Sequence, residues 1–416
     1  MTTLPPPPDH PTVRLSSPPD IVRAIPSLLG FHPGSSLVAL GLTGRRLRLR
    51  VTVRADLPPP GLEAAVADQV AARLRGEKVS ACVVVLFTAT SDAGPRAVPG
   101  PRPAVPASRG RASLPGADVA YAAEQSLRKA GLDVREMLRA ESGRWWSYTC
   151  AEPCCPPEGL PVGPAPTTLL DVLRVAAGRP VFADRPALVA SVGRHPGEPT
   201  DALLAAIHDR EAVLTGLRAG TRAARDLVDL HNLLIRDTAR LAVPPDSAVP
   251  DSTSARPAIE GPAPAATAPA PPETRAHDDR TIAQVAVGLT HRAVRDACFA
   301  WTGGPLAEAA TALWDEMVRR VPAPYGAAPA TLLAVSAYRR GDGALADACL
   351  RRALDDDPDY RMAELVLTGL ENGFGPADVE AALGLDGEPD ALGPAREVRW
   401  PGSGSAPSPS GGTDAR

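Results

Sequence analysis

Proline decides where this chain cannot fold. Four stretches, residues 1–12, 92–116, 242–277 and 387–416, mix Pro with Gly, Ser and Ala and hold almost no large apolar side chains. They lack the burial that would offset the entropy of ordering. The third contains nine of the chain's 48 prolines and reads as a linker. The second reads as a disordered insertion, because strand and helix signals resume on both sides without a new start. The expected layout is therefore a disordered 1–12, an α/β domain over 13–241 ending in helices, a linker over 242–277, a helical domain over 278–386 and a disordered tail.

The first unit opens with Ser17-Pro18-Pro19-Asp20, a serine cap followed by prolines and an acid, which announces a helix carrying Ile21, Ile25, Leu28 and Leu29. Pro26 should kink or shorten it. The apolar run Leu37 to Leu42 and the alternating Leu47 to Val53 predict two strands joined at Thr43-Gly44-Arg45. Leu62, Ala65, Val66, Val70 and Leu74 then line one face of a helix, and Ala81 to Thr88 is a strand apolar on both sides. Strand, helix, strand implies a parallel crossover and a mixed sheet with flanking helices. Beyond the insertion come a helix with Val119, Ala123, Leu127 and Ala130, and a hairpin of Glu136 to Ala140 with Arg144 to Cys150 around Glu141-Ser142-Gly143. In its second strand Trp146, Tyr148 and Cys150 would share a face. Leu203, Ile207, Leu214 and Leu217, then Leu227, Leu230, Leu234, Thr238 and Leu241, mark two amphipathic helices expected to complete this domain.

After His277 the period is helical throughout, and one stretch fits a tetratricopeptide unit. Leu333 and Ala334 take the small positions of its first helix, Gly341-Asp342 the turn, and Ala346, Leu350, Ala353 and Pro358 the sites of its second. Ala330 and Ala337 stand where that pattern has Trp and Tyr. The neighbouring windows match poorly, so they would serve as degenerate repeats or caps. The fold class expected is an α/β domain plus an all-α, tetratricopeptide-like domain.

A net charge of −4 supplies no global field for nucleic acid or an anionic membrane. No apolar run approaches the roughly 20 residues of a spanning helix. The N-terminus has neither a basic nor an apolar signal region, so the expected compartment is the cytoplasm, where cysteines are expected as thiols or ligands rather than structural disulfides.

Three of the six cysteines, Cys150, Cys154 and Cys155, fall within six residues. They supply three of the four ligands of a structural zinc site, framed by Pro153 and Pro156-Pro157; the nearest candidates for the fourth are His195 and Cys82. The same thiols could be redox or nucleophilic groups, or ordinary buried ones, with Arg144 the one cation to activate them. Arg45, Arg46, Arg48, Arg50 and Arg54 form a run without an acid. Alternation puts the last four on one strand face, an anion or nucleic-acid surface or a solvated face paired with Glu63 or Asp68, and no aromatics interleave to stack bases. Gly30-Phe31-His32-Pro33-Gly34-Ser35-Ser36 precedes a strand rather than a helix, the wrong order for a phosphate loop, and reads as a turn. His231 sits on the apolar face of its helix as a core histidine.

Leu15-Ser16-Ser17-Pro18-Pro19-Asp20, Leu28-Leu29-Gly30-Phe31-His32-Pro33 with Ser36-Leu37-Val38, Arg54-Ala55-Asp56-Leu57-Pro58 and Trp145-Trp146-Ser147-Tyr148 to Cys154-Cys155-Pro156 together resemble the actinobacterial domain-of-unknown-function family 4192. Pro329 to Ala334 and Tyr338 to Ala344 extend the resemblance to most of residues 13–385. It carries no activity with it. The functional expectation is a non-enzymatic interaction or scaffold protein that binds a protein partner through its helical domain. The alternatives are a metal or thiol protein centred on Cys150, Cys154 and Cys155, with zinc as the candidate ion, and an anion or nucleic-acid binder using Arg46, Arg48 and Arg50. The sequence sets no oligomeric state.

Overall fold

The fold is taken from a computed structural model that describes residues 15, 17–88, 114–150, 154–163, 169–176, 179–194, 200–214, 219–241 and 277–385. The segments 1–12 and 387–416, most of 92–116 and nearly all of the 242–277 linker lie outside them, as does His195.

Helix α1 (Pro18–Leu29) starts where Ser17 turns extended, and its hydroxyl donates to Asp20 Oδ2 at 2.7 Å. The helix runs through Pro26 to Gly30, a left-handed residue at φ 83° that only glycine adopts without strain. Pro26 removes one donor, but Ile25 and Leu29 on either side are buried and hold the last turn in place. Strands β1 (Ser36–Thr43) and β2 (Arg48–Asp56) form the expected hairpin. Helix α2 (Glu63–Gly76) leads to β3 (Ala81–Phe87), and α3 (Ala117–Lys129) to β4 (Asp133–Glu141). Strands β5 (Arg144–Ser147) and β6 (Leu160–Pro161) complete a six-stranded mixed sheet of order β2-β1-β3-β4-β5-β6. Both β2 and β3 run antiparallel to β1, β3 and β4 are parallel, and β4, β5 and β6 are successively antiparallel. The β4–β5 turn places Ser142 (φ 47°) and Gly143 (φ 73°) both in the left-handed region, the geometry whose twist matches a two-residue hairpin.

Side chains alternate between two cores. Leu37, Ala39, Cys82, Val84, Leu86 and Met137 meet α2 and α3 through Val70, Leu74, Val119 and Leu127. On the other face Val38, Leu40, Val83, Val85, Leu138 and Trp145 meet Val22, Ile25 and Leu29 of α1. Central β3 contributes to both, which is why its sequence is apolar without alternation.

The rest is helical: α4 (Leu169–Ala176), α5 (Arg185–Ser191), α6 (Asp201–Leu214), α7 (Ala219–Leu241), α8 (Asp279–Leu289), α9 (Arg292–Cys298), a single-turn 3-10 helix Phe299–Thr302, α10 (Ala307–Arg320), α11 (Ala327–Arg339), α12 (Gly343–Asp356), α13 (Arg361–Glu371) and α14 (Pro376–Ala382). The amphipathic α6 and α7, which chain order attaches to the sheet, pack on α8, with α7 also reaching α9 and α10. Leu203, Ile207, Leu214 and Leu234 lie in one continuous core with Ile282, Phe299 and Trp314, and that core also takes in α1 and the α1 face of the sheet. Polar contacts cross the same seam: Arg73 of α2 donates to Tyr338 Oη at 3.1 Å, and Arg185 of α5 pairs with Asp347 at 2.9 Å. Among the described residues no helix is long and apolar enough to cross a membrane.

Candidate metal centre

The three clustered cysteines converge. The Sγ atoms of Cys150, Cys154 and Cys155 lie within 4.8 Å of one another, and Cys150 and Cys154 are 3.6 Å apart. None is in a disulfide; Cys150 and Cys155 are partly exposed and Cys154 is exposed. The short separation matches the edge of a tetrahedron with metal–sulfur bonds of about 2.3 Å, roughly 3.8 Å. Burial, with hydrogen bonds donated to Cys150 and Cys154, pushes the Cys155 thiol up to about 12. Crowded thiolates repel, so Cys155 holds its proton unless a cation replaces it.

Local chemistry explains the convergence. The expected strand to Cys150 ends instead at Ser147, whose hydroxyl accepts the N–H groups of Thr149 and Cys150, each at 3.1 Å, and donates to Glu136 Oε1 at 2.8 Å. This side-chain turn breaks the ladder and takes Cys150 off the sheet face that Trp146 and Tyr148 do share. The chain then returns to pair β6 with β5. Trp146 Nε1 donates to Pro157 O at 2.9 Å, and Arg144 donates to Glu158 O and Gly159 O at 2.8 and 2.7 Å. Gly159, at φ 74°, lies against the Trp146 indole so closely that a Cβ would sit 2.4 Å from Cε2. Arg139, stacked 4.3 Å above that ring and paired with Glu141, backs the indole from the sheet. The thiol loop is thus tied down by β5 side chains at both ends. Arg144, the one cation proposed to activate a thiol, is spent on loop carbonyls.

Among the described residues no fourth His, Cys, Asp or Glu joins the three thiols. Cys82 is buried in the α2–α3 core and pushed up to about 12 by burial and by Asp133; Cys298 and Cys349, fully buried, are also raised by burial. These three are inert packing groups.

The arginine row is divided by the register of its hairpin. Between Gly41 and Leu42 the pairing with β2 slips by one residue, so Arg54 lies opposite Val38 while Arg48 lies opposite Thr43, on the other face of the sheet. Arg54 pairs with Asp56 and donates to Ser36 Oγ at 3.0 Å. Arg46, in the β1–β2 turn, and Arg48 and Arg50, on edge strand β2, are exposed, and the acid that reaches Arg50 is Glu77, at 3.7 Å, rather than Glu63 or Asp68. His32 is exposed, and its backbone bridges to Phe182. His231, expected in the core, is partly buried and packs against Trp301 with ring centroids 5.9 Å apart.

Two polar clusters have no motif in the sequence. His277, at the entry to α8, donates its backbone N–H to Glu316 and places Nδ1 2.6 Å from Glu316 Oε2 and Nε2 3.0 Å from Asp237 Oδ2. Arg174, 7% exposed, meets buried Asp342 at the α11–α12 turn, a partner 168 residues away. Neither pairing has a spacing signature; the unusual burial of a charged residue is its only sign. A cleft of about 610 Å³ lies between α7, α8 and α9, lined in part by Asp226, Leu230, Leu233, Ile235, Gln284 and Val285.

Fold and site together define a mixed α/β protein with a continuous helical unit and a surface cluster of three thiols. The chain belongs to the family described as Domain of unknown function (DUF4192), whose model matches residues 18–377. No curated protein and no solved structure matches it.

Proposed function

We propose that the protein is a metal-binding, non-enzymatic protein in which Cys150, Cys154 and Cys155 hold a soft divalent ion, with zinc as the first candidate. The observation that carries this reading is the approach of three Sγ atoms to within 4.8 Å on a loop pinned at both ends. Thiolates select zinc among the common divalent ions, and a clamp at this point would join the end of β5 to the strand that returns beside it. The role supported is structural: the ion fastens the last hairpin of the sheet. Titration with cobalt(II) tests it, since tetrahedral thiolate ligation gives a charge-transfer band. A band saturating at a single ion per chain, displaced by zinc and lost in Cys154→Ser, is expected; no band in the intact protein contradicts the reading.

A second reading, partner binding by a tetratricopeptide-like helical unit, draws on two observations. Leu333, Ala334, Ala346, Leu350 and Ala353 are buried between α11 and α12, whose turn uses Gly341 at φ 79° and Asp342 as the cap for Leu345 N–H. The cleft beside α7 offers apolar and acid-lined walls, with Ile235 48% exposed, and suits an amphipathic segment of a partner protein. Cross-linked capture with the full chain and with Ile235→Arg checks it: a partner lost from the variant supports the reading, and undiminished capture contradicts it.

A further inference from the structure

The sheet order ends at β2, and among the described residues β1 is the only strand that pairs with it. None of the nine residues of β2 is buried, whereas β1 is buried from Ser36 to Gly41. The ladder fixes which main-chain groups this open edge presents. Leu57 donates its N–H to Ser35 O at 3.2 Å, so Ser35 and Leu57 form a hydrogen-bonded pair. Antiparallel alternation then makes Leu37 with Ala55, Ala39 with Val53 and Gly41 with Val51 the next bonded pairs. The N–H and C=O of Arg54 and Thr52, which lie between, therefore turn away from β1, and among the described residues no other backbone group meets them. Such an edge accepts a further strand.

Charge selects what that strand can be. Arg45 and Arg46 in the β1–β2 turn, and Arg48 and Arg50 on β2, are all exposed. Among the described residues no carboxylate lies within ion-pair distance of Arg45, Arg46 or Arg48, and Glu77, beside Arg50, is shared with Arg73. Leu47 and Leu49, between these arginines, are 38% and 40% exposed. A strand that alternates acidic and apolar residues complements both features. A second copy of this chain does not, because it would bring Arg48, Arg50 and Arg54 to the same edge, with Asp56 already paired to Arg54. A nucleic acid complements only part of the edge: its phosphates accept N–H groups but leave the outward C=O groups unpaired, and residues 45–56 hold no aromatic side chain to stack a base. We propose that the outer edge of β2 is a docking site for an extended acidic segment of a partner protein, which adds to the sheet beside β2. Residues 51–56, regular in register, supply the pairing, and the arginine end beyond the slip at Gly41/Leu42 supplies the charge. The site is separate from the thiol cluster and from the α7 cleft, and its test depends on neither.

Fluorescence anisotropy of a labelled octapeptide alternating Glu and Val, titrated with the full chain, tests the site. Saturable binding is expected, weakened at least about tenfold by Arg46→Glu/Arg48→Glu. These two side chains are exposed and have no ion pair to lose, so the variant should fold as the parent does by circular dichroism. Arg292→Glu/Arg361→Glu, which changes net charge equally at two exposed helical positions, should leave affinity unaltered. The same peptide methylated at its backbone nitrogens cannot donate to β2 and should bind at least about tenfold more weakly. No saturable binding of the acidic peptide, equal binding of its methylated form, or unchanged affinity in Arg46→Glu/Arg48→Glu would overturn the proposal. So would tighter binding of an oligodeoxynucleotide of equal charge, which would make the edge a nucleic-acid surface instead.

Discussion

Gly159 shows how much of the thiol centre depends on a residue that carries no chemistry. Its left-handed backbone and the indole of Trp146 leave no room for a Cβ. Gly159→Ala should therefore displace the loop that presents Cys154 and Cys155, lowering zinc affinity at least tenfold and costing about 1–3 kcal/mol of stability; competition with a chromophoric chelator and thermal melts measure the two effects. Cys82→Ser, in the α2–α3 core, should lower the melting temperature and leave metal stoichiometry unchanged, which separates packing thiols from the clustered ones. The three cysteines were legible in the sequence by spacing. Their convergence was not, because it rests on Ser147 accepting two backbone N–H groups and on Trp146 and Arg144 reaching loop carbonyls, contacts that leave no mark in residue spacing.

At the scale of elements, hydrophobic pattern located the β1–β2 hairpin, α2, β3, α3 and the β4–β5 turn, since α2 and α3 each turn one apolar face to the sheet and β3 is apolar on both of its faces. It misjudged what a one-residue slip does. The register shift at Gly41/Leu42 reverses the facing of everything beyond it, so a row of arginines that alternates in sequence is not a row in space. It also assigned α6 and α7 to the sheet domain, whereas α6 packs on α8 and α7 on α8, α9 and α10, for an apolar stripe carries no address. The helical junction they join is fastened by His277. Its hydrogen bond to Glu316 raises the imidazole above its ordinary value against the opposing effect of burial, with Asp237 adding to the rise. Burial alone would lift Glu316, but His277 and Arg320 hold its carboxyl below the usual range. The imidazolium contribution is therefore full below about pH 6.5 and is lost as pH rises through the raised folded value; the carboxylate contribution is lost as pH falls through its lowered one. His277→Gln should cost about 2 kcal/mol at pH 6, where two carboxylates lose a cationic partner, and distinctly less at pH 9. Chemical denaturation at both pH values checks this, and an equal loss at each would contradict it.

Across the whole molecule, the α1 face of the sheet shares a continuous core with the helical unit, and Arg73 to Tyr338 and Arg185 to Asp347 cross the same seam. Units joined in this way should unfold together, so differential scanning calorimetry is expected to record a single transition; two separated transitions would contradict the shared core. Zinc should raise that transition, by about 2.7 kcal/mol of stabilisation at a free concentration 100 times its dissociation constant, and the gain should shrink in acid as protons compete for the thiolates. The central claim is that Cys150, Cys154 and Cys155 hold an ion, and it is tested most directly by metal content and thiol count on anaerobically purified protein. Near-stoichiometric zinc, with the three clustered thiols protected until a chelator is added, is the result this structure predicts. Metal-free protein whose clustered thiols react at once, with or without added zinc, would contradict it.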